Sequence, residues 1–351
     1  MTASNLQQIF HLHSRFIQKQ SGSFLKKKHA QPHWKIPDSS ISFGISDFFS
    51  STFLIIFAAI CTFPSKFHAY DKSSWVEKSW IYEAISYYPF EGNEKILDIG
   101  CGDGEISSLL SQKAIHGEVY AIDIAPPMID YASQTWTQKN LRFELQDIET
   151  IECEEKFDLI TAFFTFQWIK NKKKMLENCA QLLSPRGHIW MVTPLNIPAE
   201  LDAAARFVCQ NPKWNAFFTN FQLPTNYPSQ QEVHELLCKQ GISPIYIKTR
   251  QKEMIFGSRQ DLHKALRISF PYLHCLSEDM LDPFLTDLLD RYLMLRPLDR
   301  YHRASCILET VEVIGVKNWK CRLCAQPLPG TLEKSFLDFF SEKKLLSLFL
   351  Q

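Results

Sequence analysis

The chain has 351 residues, 45% of them apolar, which suffices for one large domain with additions or for two, each with a buried core. Lysine plus arginine and aspartate plus glutamate both number 38; a net charge of zero excludes a broad cationic field, so nucleic acid is not an expected partner. Ten cysteines lie mostly in apolar runs, as Cys179 in LENCAQLL and Cys238 in HELLCKQ, the pattern of buried, reduced thiols and not of a disulfide framework.

Residues 1–47 are polar and show no sustained period, which predicts a flexible stretch. Phe48 to Phe63, FFSSTFLIIFAAICTF, then runs sixteen residues without a charge and stops at Pro64. As a helix it would reach about 24 Å, short of a hydrocarbon core of roughly 30 Å. Four accounts stand side by side: a signal-like region, a membrane anchor, an apolar helix packed on the domain, or an N-terminus misread upstream of the true start. Lys26, Lys27, Lys28 and Lys35 precede the run, so a spanning helix would keep the N-terminus in the cytoplasm and send the remainder across.

From residue 67 onward the pattern becomes regular. SSWVEKSWIYEAISYY has helical spacing, KILDIG reads as a buried strand, Glu105 to Lys113 as a helix and EVYAID as a second strand. APPMIDYASQTW is a helix with prolines at its first positions, LRFELQD and FDLITAFF are strands, KKKMLENCAQLL is a helix and GHIWMVTP a fifth strand. Strands alternating with helices predict an α/β fold with a mostly parallel sheet covered on both faces. Beyond Pro194 we expect helices over 199–222 and 230–240, strands at SPIYIKT and KEMIF, a helix from Met280 to Met294 and a long β-rich run at SCILETVEVIGV. The tail TLEKSFLDFFSEKKLLSLFL carries an apolar stripe and predicts a last helix. Domain boundaries follow: an extension over 1–65, a domain over 66–320 with its cofactor half at 92–194 and substrate-covering parts at 66–91 and 195–300, and a tail over 321–351. Cys321 and Cys324 form a CxxC pair without two further ligands at matching spacing, so no metal is expected.

LDIGCGDGE, Leu97 to Glu105, places three of the chain's 12 glycines between a strand and a helix, where an α/β sheet binds its ligand. A dinucleotide site requires GxGxxG, and here the third glycine comes one place early; a P-loop requires a Lys-Ser/Thr pair that is missing. Glu105 stands where a diphosphate would meet the helix N-terminus and would repel it. A ligand with a ribose, no phosphate and a positive charge suits the loop better.

Asp98-Ile-Gly-Cys-Gly-Asp-Gly104 resembles the first motif of class I methyltransferases that use S-adenosylmethionine, and the similarity continues in order through residues 67–193. The resemblance implies a Rossmann-like, seven-stranded sheet with the last strand antiparallel, the runs at 243–256 and 305–316 supplying strands six and seven. It also implies S-adenosylmethionine as cofactor: Asp98 near the methionine amino end, Gly100, Cys101, Gly102 and Gly104 along the backbone path, Asp123 on the ribose hydroxyls and Asp147 on the adenine amino group. Ile124 and Ile148 would flank the ring, and Ala162 and Phe163 the sulfonium. Such a cofactor is made in the cytoplasm, which places the catalytic domain there, membrane-associated if residues 48–63 anchor it.

After strand four, Ala162-Phe-Phe-Thr-Phe-Gln-Trp168 lacks the Asn/Asp-Pro-Pro-Tyr/Phe run of enzymes that methylate base or amide nitrogens. It is similar to carboxyl methyltransferases of the trans-aconitate, malonyl-carrier-protein and juvenile-hormone-acid type, whose Gln-Trp or His-Trp pair lines the substrate pocket and matches Gln167 and Trp168. AYDKSSWVEKSW resembles their opening helix, which implies substrate contacts at Tyr70, Glu77 and Trp80. Relatives with an acid substrate carry an amide where this chain has Glu77, and a carboxylate facing a carboxylate is repelled. His116 and His188 lie away from the transfer point, so no dedicated base is expected. Three functions are carried forward: O-methylation of a small carboxylic acid, C- or O-methylation of a lipid or quinone precursor, and non-catalytic cofactor binding at a membrane.

Overall fold

A computed structural model describes residues 75–317. Its sheet begins with β1 (Lys95–Ile99), β2 (Glu118–Asp123), β3 (Leu141–Leu145), β4 (Phe157–Phe163) and β5 (Leu183–Pro194); all but β3 bury most of their residues, on both faces, because both faces are covered. Side chains alternate between faces, so Ile96, Leu159, Trp190 and Val192 pack with α1 (Trp75–Tyr87) and α2 (Glu105–Lys113). Leu97, Ile160, Ile189 and Met191 point the other way, against α4 (Lys172–Leu182) and α7 (Gln230–Lys239). Helix α3 (Pro126–Thr135) follows β2, its prolines in the first turn, where their missing N–H groups cost nothing. Strand β3 is an edge, and its exposed Arg142 and Glu144 pair with Glu155 and Tyr120, which guards it against edge pairing.

The strand order is β3-β2-β1-β4-β5-β7-β6, with β1 to β5 parallel and β7 (Ala304–Lys317) antiparallel to both β5 and β6 (Ile242–Phe256). This is the Rossmann-like, seven-stranded arrangement expected. Order reverses between β1 and β4, the place where an open α/β sheet leaves a crevice beyond its strand ends.

The second half departs from expectation in three places. SPIYIKT and KEMIF are one continuous strand, because the polar stretch between them lies on the β6 edge, where water meets one side. The helix begun at Ala199 ends at Cys209 (α5), since Pro212 lacks an N–H and biases Asn211 away from helical geometry; only a short α6 (Asn215–Phe218) follows. An additional helix, α8 (Arg259–Ser269), is capped by the Ser258 hydroxyl, which accepts from Asp261 N at 3.1 Å, and buries Leu262. With α9 (Glu278–Leu295), helices α5 and α8 bury Leu201, Trp214, Phe284 and Tyr292 against the far ends of β6 and β7. The tail helix and the apolar segment 48–63 lie outside the described residues.

Candidate active site

Strand β1 runs straight into the glycine loop. Gly100 has φ 69°, and a Cβ there would stand 2.3 Å from the Thr165 hydroxyl oxygen, so only glycine lets the loop after β4 close onto it. Thr165 Oγ1 in turn donates to the carbonyls of Ile99 at 3.1 Å and Phe163 at 3.1 Å. Gly104, φ 80°, caps α2, and a Cβ there would meet Phe143 and Trp136; its smallness serves packing beneath the loop.

Asp98 is 3% exposed, with Oδ2 accepting from Ser107 Oγ at 2.6 Å and Oδ1 from Thr161 Oγ1 at 2.7 Å. Burial pushes its carboxyl up to about 6, against the pull of those two hydroxyls. Asp123 closes β2 and accepts from Gly102 N and Ala125 N, both at 2.9 Å. It therefore fixes the glycine loop as well as bordering it. Ile124 beside it is 68% exposed, whereas Ile148 and Ala162 are buried in the core. Asp147 is partly exposed and accepts from Glu149 N at 2.8 Å.

A cavity of about 230 Å³ opens beyond β1 and β4. Asp98, Gly100, Cys101 and Gly102 form one wall, and Phe163, Phe164, Gln167 and Trp168 another. The far wall is apolar, from Ile197, Leu201, Tyr227, Leu266, Phe270 and Leu308. Residues spread over 230 positions of sequence thus meet around one volume. Asp123, Ile124, Asp147, Ile148, Ala162 and Gly104 do not line it; of these, Ile124 and Asp147 border the open surface next to Asp123.

Residues 90–241 match a family described as methyltransferase domain. The chain is a class I S-adenosylmethionine-dependent methyltransferase. The methyltransferase is 27% identical over 200 residues to protein 235L of Invertebrate iridescent virus 6, named a methyltransferase, which covers 57% of this chain and 74% of that one. It is 24% identical to juvenile hormone acid O-methyltransferase of Bombyx mori, over 65% of this chain and 82% of the relative. Malonyl-[acyl-carrier protein] O-methyltransferase of Bacillus cereus is 33% identical over 123 residues, 34% of this chain and 46% of the relative.

In the methyltransferase, α1 lies against the glycine loop through one buried cation. Lys78 Nζ donates to Asp103 Oδ2 at 2.5 Å and to Glu105, which also accepts from the Tyr82 hydroxyl. Burial works against the charged amine, but the two carboxylates outweigh it and hold Lys78 protonated. Glu105, whose position argued against a diphosphate, is thus half of an interelement lock. Trp80 is 3% exposed in the core beneath α1 and does not line the cavity. Tyr70 and the side chain of Glu77 lie outside the described residues.

Lys78, Phe164, Thr165 and the far wall are absent from the sequence expectations. Phe164 and Thr165 fall inside the 162–168 run, whose resemblance is a signal for them. Lys78 and the far wall had none, since their partners are distant in the chain. Among the described residues no group of three or more His, Cys, Asp or Glu can hold a metal, and no helix is long and apolar enough to cross a membrane. His188 bonds the Tyr88 hydroxyl at 2.9 Å on the sheet's opposite end.

Proposed function

We propose that the methyltransferase O-methylates a small carboxylic acid with an apolar body. One observation carries the reading: the cavity beyond the glycine loop has an apolar far wall, and its described lining holds no histidine and only two carboxylates, Asp98 and Asp103, both engaged by neighbouring groups. A carboxylate brings its own lone pair and negative charge and needs no proton removed, whereas an alcohol or carbon acid does. The names of two relatives, an acid O-methyltransferase and a malonyl-carrier-protein O-methyltransferase, support the same reading.

S-adenosylmethionine supplies a methyl group activated by its sulfonium charge. The residues present fit it, since the loop exposes backbone at Gly100 and Gly102, with Asp98 buried beside it and an exposed apolar Ile124 set between two carboxylates. In the proposed arrangement Asp98 attracts the amino end, Asp123 the ribose hydroxyls and Asp147 the adenine amino group, while Ile124 covers the ring and Phe163 borders the methyl. Ile148 and Ala162 support this surface from within the core. Catalysis then rests on holding acceptor and methyl carbon in line and close.

The deciding experiment is transfer of labelled methyl to a panel of acids and quinone precursors. Acid O-methylation yields an ester that releases its label in mild alkali. Label stable to alkali would move the assignment to C-methylation or ether formation on a lipid or quinone precursor, and tight cofactor binding without transfer would favour a binding protein. For residues 48–63 we propose contact with a membrane surface; unchanged sedimentation with membranes after deletion of 1–65 would refute it.

A further inference from the structure

Gln167 lines the cavity yet commits its amide elsewhere. Its Nε2 donates to the Phe164 carbonyl at 2.7 Å, and its Oε1 accepts from the Thr193 hydroxyl at 3.1 Å, with Thr193 fully buried on β5. Its own carbonyl accepts from Asn226 N at 2.8 Å, which ties down the loop that brings Tyr227 to the far wall. Phe164 is left-handed at φ 53°, and of the three non-glycine residues with positive φ among those described it is the one at the cavity. Its N–H donates to Val192 O at 2.8 Å.

A side chain on left-handed backbone is disfavoured and persists only where surrounding bonds hold it. The turn has a geometric consequence. Neighbours in an extended strand point to opposite faces, yet Phe163 and Phe164 both line this cavity; the left-handed turn brings the second ring to the same side as the first.

We propose that Gln167 is a positioning residue: its amide holds the turn at Phe164, and the Phe164 ring is the wall that aligns the acceptor with the transferred methyl group. Gln167 then acts through Phe164 and makes no contribution by touching the acceptor. This goes beyond the acid reading and borrows from it only the probe.

Gln167→Leu, Phe164→Gly and the double variant distinguish the two roles. Glycine adopts the left-handed turn unaided, so the amide has nothing left to hold. Gln167→Leu is expected to leave S-adenosylhomocysteine affinity within about twofold by calorimetry while lowering kcat for dodecanoic acid about tenfold or more, with less change in its KM. In the Phe164→Gly background the same substitution is expected to have little further effect, the mark of two residues acting as one unit. Gln167→Glu, which accepts from Thr193 but does not donate to Phe164, should behave like Gln167→Leu. An equal fold loss from Gln167→Leu in both backgrounds would overturn the proposal and place the amide on the acceptor. The urea midpoint supplies a second cycle that needs no acceptor: Gln167→Leu takes the acceptor from the Thr193 hydroxyl in both backgrounds and should lower the midpoint in each, by more in the native background than beside Phe164→Gly. Equal shifts would again overturn the proposal, and a chain that leaves dodecanoic acid unmethylated would instead count against the acid reading while this cycle still decides the role of Gln167.

Discussion

In the proposed arrangement the ionisation of the Asp98 carboxyl decides how the loop meets a cationic amino group. Its folded value, raised to about 6, lies above the ordinary 3.8, so the ligand-free fold binds this proton more tightly than the unfolded chain does. The ionised form therefore costs stability above pH 6, and the cost fades as pH falls from there toward 3.8. Binding of an ammonium group requires the ionised form, so affinity for S-adenosylhomocysteine should fall as pH drops below about 6, by up to about tenfold per pH unit. Calorimetry from pH 5 to 8 checks this, and Asp98→Asn should bind weakly with little slope. Gly100→Ala makes a second residue-scale test. Its Cβ would meet Thr165 at 2.3 Å on a left-handed backbone, and strain plus overpacking should cost about 2 to 5 kcal/mol. Urea unfolding measures the loss, and cofactor binding should fail with it. Both positions were legible in LDIGCGDGE, because a motif fixes backbone and charge within a few residues. The reason for Gly100 was only half legible: the loop needs room for Thr165, 65 positions away, as well as for a ligand.

At the scale of elements, α1 and the glycine loop are joined by Lys78, Asp103 and Glu105. Removing the cation leaves a buried carboxylate without its partner, so Lys78→Met should cost about 3 kcal/mol and weaken cofactor binding. Glu105 is more exposed, so Glu105→Gln should cost well under half as much. Thermal unfolding of the two variants gives the order, and equal losses would disprove the lock. Helix α1 itself was legible as a helix, since Trp80, Ile81, Ala84 and Ile85 repeat at helical spacing. Which of its faces meets the site was not: Trp80, expected at the substrate, is core, and the cavity is met by Lys78 and Ile81. Periodicity marks an apolar stripe without naming its neighbours. The same limit explains α8 and the undivided β6, whose polarity suits an exposed helix face and a sheet edge and so dilutes any sequence period.

Across the whole molecule, β7 links the three packed regions. Ala304, Cys306 and Leu308 belong to the cluster under α5, α8 and α9, Val311 and Val313 to one sheet face, and Ile314 to the other. A single strand shared in this way should make the acceptor half and the cofactor half unfold together. Phe284→Ala, at a fully buried position far from the glycine loop, should lower stability by about 3 to 5 kcal/mol. Loss of near-ultraviolet circular dichroism and of S-adenosylhomocysteine binding should then coincide along the urea curve. Two separated transitions would show that the halves are independent.

The sequence by itself determined the parallel sheet and, through the resemblance of its glycine motif to a known family, the cofactor, because strand periodicity and a short motif are local properties that need no distant partner. Only the tertiary structure decided the far wall of the cavity, the proposed acceptor side. Its wall is assembled from β4, the loop before α7, α8 and β7, and the meeting of such distant side chains depends on packing that no spacing along the chain expresses. The FQW run shows the division within three residues: its resemblance singled out Gln167 and Trp168, which line the cavity, and the fold bonds the Gln167 amide to a backbone carbonyl and a buried hydroxyl.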